Sequence, residues 1–207
     1  MNRIFLVGTG ESLNQTPLDL LKNEVTFSLN AIDRIYDRTD WRCTYYLCID
    51  VNPRDPHWPD AVRANAGAKK LFLHESMRSM KFPGNVEYLT DCKNHKGYAA
   101  DNHQKRAGSW HLPDVCNAFG SMYTMLQLAA LMKPEVIYLV GCDLFGGQNH
   151  FDPEYGDFAP DGERNLDAIW LHSVSKMSSP VPIFNATVGG GLEVYPRVDI
   201  HQLLKGN

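Results

Sequence analysis

Two glycine-containing stretches hold the residues best suited to chemistry. The first, Gly8-Thr9-Gly10-Glu11-Ser12-Leu13, directly follows the apolar run Ile4-Phe5-Leu6-Val7. Glycine permits close backbone approach, and the N–H groups after such a turn can meet a phosphate. A lone glycine pair equally fits a tight strand-to-helix turn that holds no ligand. The second stretch, Asp143-Leu144-Phe145-Gly146-Gly147-Gln148-Asn149-His150, leaves the apolar run 136–140. A loop histidine titrates near neutrality and suits the work of a general base, although a solvated surface histidine looks the same in sequence. Asp143 could reach a ligand in a crevice or form an Asx turn into the glycines that follow.

Such loops need strands to hold them. Short apolar runs at 4–7, 25–29, 45–49, 70–73, 136–140 and 181–184 mostly do not alternate with polar residues, as expected of strands buried on both faces of a parallel sheet. Between them, Val115, Ala118, Met122, Leu126, Ala129 and Met132 fall at steps of three and four, which predicts a helix over 115–132 closed by Pro134. Further helices are expected at 165–176 and after Pro196. Strand and helix in this order predict an α/β fold, a Rossmann-like doubly wound sheet, mostly parallel, with helices on both faces. In such sheets loops at the carboxyl ends of strands receive ligands. The stretch 75–112 shows weak periodicity and carries Lys93, His95, Lys96, His103, Lys105, Arg106 and His111. It reads as an excursion, either a lid or a plain solvated loop.

The chain has 207 residues, 43% of them hydrophobic, enough for one substantial core, and 1–207 is read as a single domain. Lys plus Arg number 20 against 24 Asp plus Glu, so no nucleic-acid partner is expected. No apolar run approaches the roughly 18 residues of a transmembrane segment, and the start reads as structure with no targeting peptide. Five cysteines without a CxxC pair suggest reduced core thiols and a cytoplasmic protein. Trp41, Trp58 and Trp110 would suit the interface of a homo-oligomer if exposed. The dinucleotide fingerprint fails because Leu13 stands where its third glycine belongs, and no Gly-Lys-Ser or Gly-Lys-Thr marks a triphosphate loop. A methyltransferase reading survives loosely on Gly8-Thr9-Gly10 and Asp50.

Taken together, Val7-Gly8-Thr9-Gly10-Glu11-Ser12-Leu13, Phe27-Ser28-Leu29-Asn30, Gly120-Ser121-Met122-Tyr123 and Ile137-Tyr138-Leu139-Val140-Gly141-Cys142-Asp143-Leu144-Phe145 form an ordered set. That set resembles the motifs of the small bacterial sialyltransferases that use CMP-sialic acid, and those of the related family named after 6-hydroxymethylpterin diphosphokinase. The resemblance implies that Gly8, Thr9, Gly10, Ser12, Asn30 and Asp50 hold a nucleotide. It places Gly120, Ser121, Asp143 and Phe145 on the donor sugar. Thr9 and Glu11 depart from the Asn and Pro of the transferase motif. No histidine occupies 159–163, where the family's base would fall, and Phe145 and Phe151 stand near the family's phosphate-steadying tyrosines, with Tyr155 close by.

What the resemblance implies is a glycosyltransferase using a nucleotide-activated sugar, with no cofactor and no metal; the catalytic base expected here is His150, chosen for its place in the loop leaving a strand's carboxyl end and not for a match to the family's base. Its partners would be a nucleotide-sugar and a glycan or small-molecule acceptor. Two alternatives remain. A diphosphotransferase like the pterin kinase would need Mg²⁺ for its triphosphate donor, with Asp143, His150, Asp152, Glu154 and Asp157 as candidate ligands. A non-catalytic nucleotide-sugar-binding module would bind tightly without turnover. The closing stretch Phe184-Asn185-Ala186-Thr187-Val188-Gly189-Gly190-Gly191 also resembles the pterin-kinase-named family, and its glycines fit either a mobile loop able to close over a ligand or a simple linker between the last strand and the last helix.

Overall fold

The apolar runs become the strands of one sheet. The computed structural model describes residues 3–49, 56–91, 112, 114–115, 121–144, 150–155 and 179–205. Within these lie β1 (Arg3–Val7), β2 (Thr26–Leu29), β3 (Tyr45–Cys48), β4 (Lys70–His74), β5 (Val86–Asp91), β6 (Asp114–Val115), β7 (Val136–Val140) and β8 (Ile183–Asn185). They pair in the order β6-β5-β4-β3-β2-β1-β7-β8, and every pairing is parallel. This is the α/β, Rossmann-like sheet that the sequence predicts.

Alternation along β1 explains why its run is continuously apolar. Ile4 and Leu6 face a layer that includes α2 (Ser121–Leu131), while Phe5 and Val7 face α1 (Trp58–Ala64), α3 (Ile200–Leu204) and the 3-10 segments Glu11–Gln15, Leu18–Leu21 and Asn30–Arg38. All four side chains are fully buried, each burial worth about 1.5–3 kcal/mol. α2 is nearly enclosed, burying Tyr123, Met125, Leu126, Leu128, Ala129 and Ala130.

Several sequence expectations are corrected. Of the helix predicted over 115–132, the described residues show Ser121–Leu131 as helix, whereas Val115 pairs with Asp91 in β6. Just beyond its end, Lys133 takes a left-handed φ of 52° before Pro134. The excursion at 75–112 opens with a 3-10 segment, Glu75–Met80, followed by β5. That strand escaped the sequence reading because Glu87 and Thr90 interrupt its apolar residues and it is only partly buried. Residues 92–111, on which the lid expectation rests, lie outside the described residues, as does the helix predicted at 165–176. Trp41 is no interface residue on this surface, since it is fully buried edge-on to Tyr36 with ring centroids 6.1 Å apart. Trp58 is half-buried against Phe82, and Trp110 is not described. Cys43, Cys48 and Cys142 are buried free thiols, as expected. No helix among the described residues is long and apolar enough to cross a membrane.

Candidate functional site at the strand switch point

From β1 the chain steps outward to β6, then returns to β7 on the other side of β1. The connections therefore run in opposite directions on either side of the β1–β7 pair, the switch point at whose carboxyl ends open α/β sheets usually receive ligands. Both glycine-containing stretches leave strands at this point. They are locked together: the N–H of Gly8 donates to Val140 O at 2.8 Å, that of Gly10 to Gly141 O at 2.9 Å, and that of Ser12 to Asp143 Oδ2 at 2.9 Å. The two glycines are thus required by close approach to the neighbouring strand end. A Cβ on Gly8 would lie 2.5 Å from Gly141 O, and one on Gly10 would overlap the Asp143 carboxylate. The N–H groups of Gly8, Gly10 and Ser12, expected from sequence to face a phosphate, are donated within the protein, and that of Leu13 goes back to Gly10 O.

Asp143 is the hub of this arrangement. Besides holding Ser12, it accepts the N–H of Gly191 on its own carbonyl at 2.7 Å, which ties in the loop after β8. Its Oδ1 and the Ser12 hydroxyl are buried with no hydrogen-bond partner among the described residues. Beside it, burial first and then the Asp143 charge push the Cys142 thiol up, away from the thiolate form a nucleophile needs.

Hydrogen bonds tie the loop after β8 to its neighbours. Asn185 is fully buried; its amide donates to Leu192 O at 2.7 Å and its Oδ1 accepts the N–H of Thr187 at 3.0 Å. The Thr187 hydroxyl accepts from the Cys142 N–H at 3.1 Å. Arg197 donates to the carbonyls of Gly189 and Gly190, each at 2.7 Å. The Asn-Ala-Thr turn acts here as a structural tie.

Residues 150–155 dock onto the first turn. The Thr9 carbonyl accepts the Phe151 N–H at 2.9 Å, and Thr9 Oγ1 lies 3.0 Å from His150 Nδ1. Asn14 donates to Phe151 O at 3.0 Å, and Tyr155 packs on the His150 ring with centroids 4.4 Å apart. Arg34 donates to Asp152 Oδ2 at 2.8 Å and lies over the Tyr155 ring. Burial opposes ionisation of Asp152, but the hydrogen bonds from Arg34 and the Glu154 N–H outweigh it and hold the carboxyl below its ordinary value. A lowered folded pKa stabilises the docked loop above the unfolded carboxylate value, about 3.9, and that support is lost as pH falls through the folded value. Amide resonances of 150–155 are therefore expected to report the Asp152 titration with a midpoint below pH 3.8, rising toward the ordinary value in Arg34→Gln. A wild-type midpoint at or above the ordinary value would contradict the pairing.

The structure thus brings Gly8, Thr9, Gly10, Ser12, Asp143 and His150 to one place. Asn30 stands at the carboxyl end of the adjacent β2 in a left-handed conformation, φ 49°, its carbonyl accepting from the Tyr46 hydroxyl at 2.7 Å. Ser121 opens α2 and is buried. Asp50, Gly120 and Phe145 lie outside the described residues, as does Asp157. Among those described, no group of three or more His, Cys, Asp or Glu gathers as metal ligands. Sequence reasoning missed Asn14, Arg34 and Arg197, whose partners are distant in the chain, and the pair His57 Nε2···Asp33 Oδ2 at 2.8 Å. Gly141, at φ 66° directly after β7, carried a legible signal.

No family model matches the sequence, and comparison with characterised proteins by sequence finds no match. In structure the chain is similar to the MAf glycosyltransferase from Magnetospirillum magneticum AMB-1, with TM-score 0.65 at 15% identity over 96% of this chain. It covers 33% of that protein, so it spans about a third of its length. It is also similar to the sialyltransferase CstII from Campylobacter jejuni, solved with cytidine-5'-monophosphate, with TM-score 0.55 at 11% identity over 96% of this chain and 85% of that one. The monofunctional alpha-2,3-sialyltransferase Cst-I of the same organism gives TM-score 0.51 at 15% identity, covering 89% and 75%. At these identities the likeness is one of fold.

Proposed function

We propose that this domain binds a nucleotide-activated sugar in the crevice above β1 and β7 and transfers the sugar to an acceptor hydroxyl. The observation that carries the reading is the meeting, at the switch point, of two buried polar atoms without partners among the described residues, Ser12 Oγ and Asp143 Oδ1, with a histidine held by the same turn. A buried polar atom left unsatisfied costs about 1–3 kcal/mol, which ligand hydroxyls would recover. The fold shared with structures of glycosyltransferases supports the same class of reaction. The pterin-kinase alternative rests on sequence motifs alone.

In this reading Gly8, Thr9, Gly10, Ser12, Asn30 and Asp50 border the nucleotide, and Gly120, Ser121, Asp143 and Phe145 border the sugar. His150 takes the acceptor proton as the acceptor oxygen bonds to the anomeric carbon. The bond from that carbon to the phosphate oxygen breaks, and its electron pair leaves with the nucleotide. No metal ion takes part.

A thermal-shift screen with CMP, UDP and GDP, with and without Mg²⁺, tests the site, because a ligand that binds only the folded state raises its stability. Stabilisation without Mg²⁺ supports the reading and identifies the nucleotide. Stabilisation only by a triphosphate with Mg²⁺ replaces transfer with diphosphotransfer, and no shift removes the site assignment. His150→Ala should lower transfer by about a hundredfold or more while keeping the nucleotide shift. Undiminished turnover would take His150 out of the mechanism.

A further inference from the structure

The first turn grips two successive residues of the 150–155 loop through a single residue. Thr9, 8% exposed, accepts the Phe151 N–H on its carbonyl and meets His150 Nδ1 with its hydroxyl at 3.0 Å. We propose that Thr9 is a positioning residue: its hydroxyl accepts from Nδ1–H of His150 and so puts the lone pair of the neutral ring on Nε2. The proposal rests on the reading of His150 as the base.

A hydroxyl can donate or accept, so the 3.0 Å contact fits either neutral tautomer. What separates them is the protonated ring, in which both nitrogens donate. If Oγ1 accepts from Nδ1–H, the hydrogen bond persists unchanged when Nε2 gains a proton, and nothing need reorganise during transfer. If the hydroxyl donates instead, protonation turns the pair into two opposed donors and the hydroxyl must rotate. A base held by an acceptor on one nitrogen and working through the other is the arrangement that proton transfer favours. Tyr155, packed on the ring at 4.4 Å, adds an aromatic face that tolerates the imidazolium.

The test is ¹⁵N NMR of the histidine ring nitrogens in the full chain, above the pH at which His150 titrates. The expected result is an Nδ1–H pattern for His150 in wild type and in Thr9→Ser. In Thr9→Val, which keeps the volume and removes the hydroxyl, the pattern should move toward Nε2–H, the tautomer an unconstrained histidine side chain prefers. An Nε2–H pattern in wild type, or an Nδ1–H pattern that persists in Thr9→Val, overturns the proposal. Should Thr9→Val fail to fold, the wild-type and Thr9→Ser spectra still decide it. Because the spectrum needs no donor or acceptor, its outcome is independent of the His150→Ala turnover assay. Where transfer is measurable, Thr9→Val should lower kcat by about tenfold or more, and Thr9→Ser should restore it.

Discussion

Alanine at Gly10 should cost the fold roughly 3–5 kcal/mol, read as a lower urea midpoint at unchanged slope. The backbone is not the obstacle, since φ −66° and ψ 159° suit any residue. Space is. The added methyl would lie 2.7 Å from Gly141 O and on top of the Asp143 carboxylate. Asp143 would have to withdraw, leaving the buried N–H of Ser12 without its 2.9 Å acceptor, so an overpacking term and a lost hydrogen bond act together. Gly67→Ala is the control, because nothing lies within 4 Å of a Cβ there, and its effect should stay within about 0.5 kcal/mol. Wild-type stability in Gly10→Ala would mean that the two strand ends do not meet as described.

Trp41→Ala should lower stability by about 3–5 kcal/mol, the usual cost of emptying a fully buried aromatic site. The ring belongs to the same buried layer as Ile32, Ile35 and Val62 and packs edge-on to Tyr36, and a close-packed interior collapses only partly into a vacated space. Trp41→Phe should cost much less, because Nε1 has no hydrogen-bond partner among the described residues to lose. A surface role predicts the opposite pattern in equilibrium unfolding and sedimentation: intact stability with altered association.

These two residues mark what could be read from the sequence and what could not. Long apolar runs such as Ile4-Phe5-Leu6-Val7 specified strands because burial on both faces leaves no polar alternation to confuse them. β5 stayed hidden since a half-buried strand near the sheet edge tolerates Glu87. Gly8, Gly10 and Asp143 were legible as a place of close approach because glycine beside a strand end signals it. What approaches, however, is Gly141 and Asp143 of the same chain, information that no local window contains. The exposure of Trp41 could not be inferred for the same reason: its neighbours come from segments far apart in sequence.

The position of β1 also bears on how the chain is made. Its partners on one side, β2 onward, follow at once, but on the other side Arg3 pairs with Val136 and Val7 with Val140. During synthesis, then, a strand with four fully buried apolar residues stands as a bare sheet edge until β7 emerges, the kind of edge that recruits other chains. Nascent chains stalled before residue 136 should bind holding chaperones far more strongly than chains released with β7 in place.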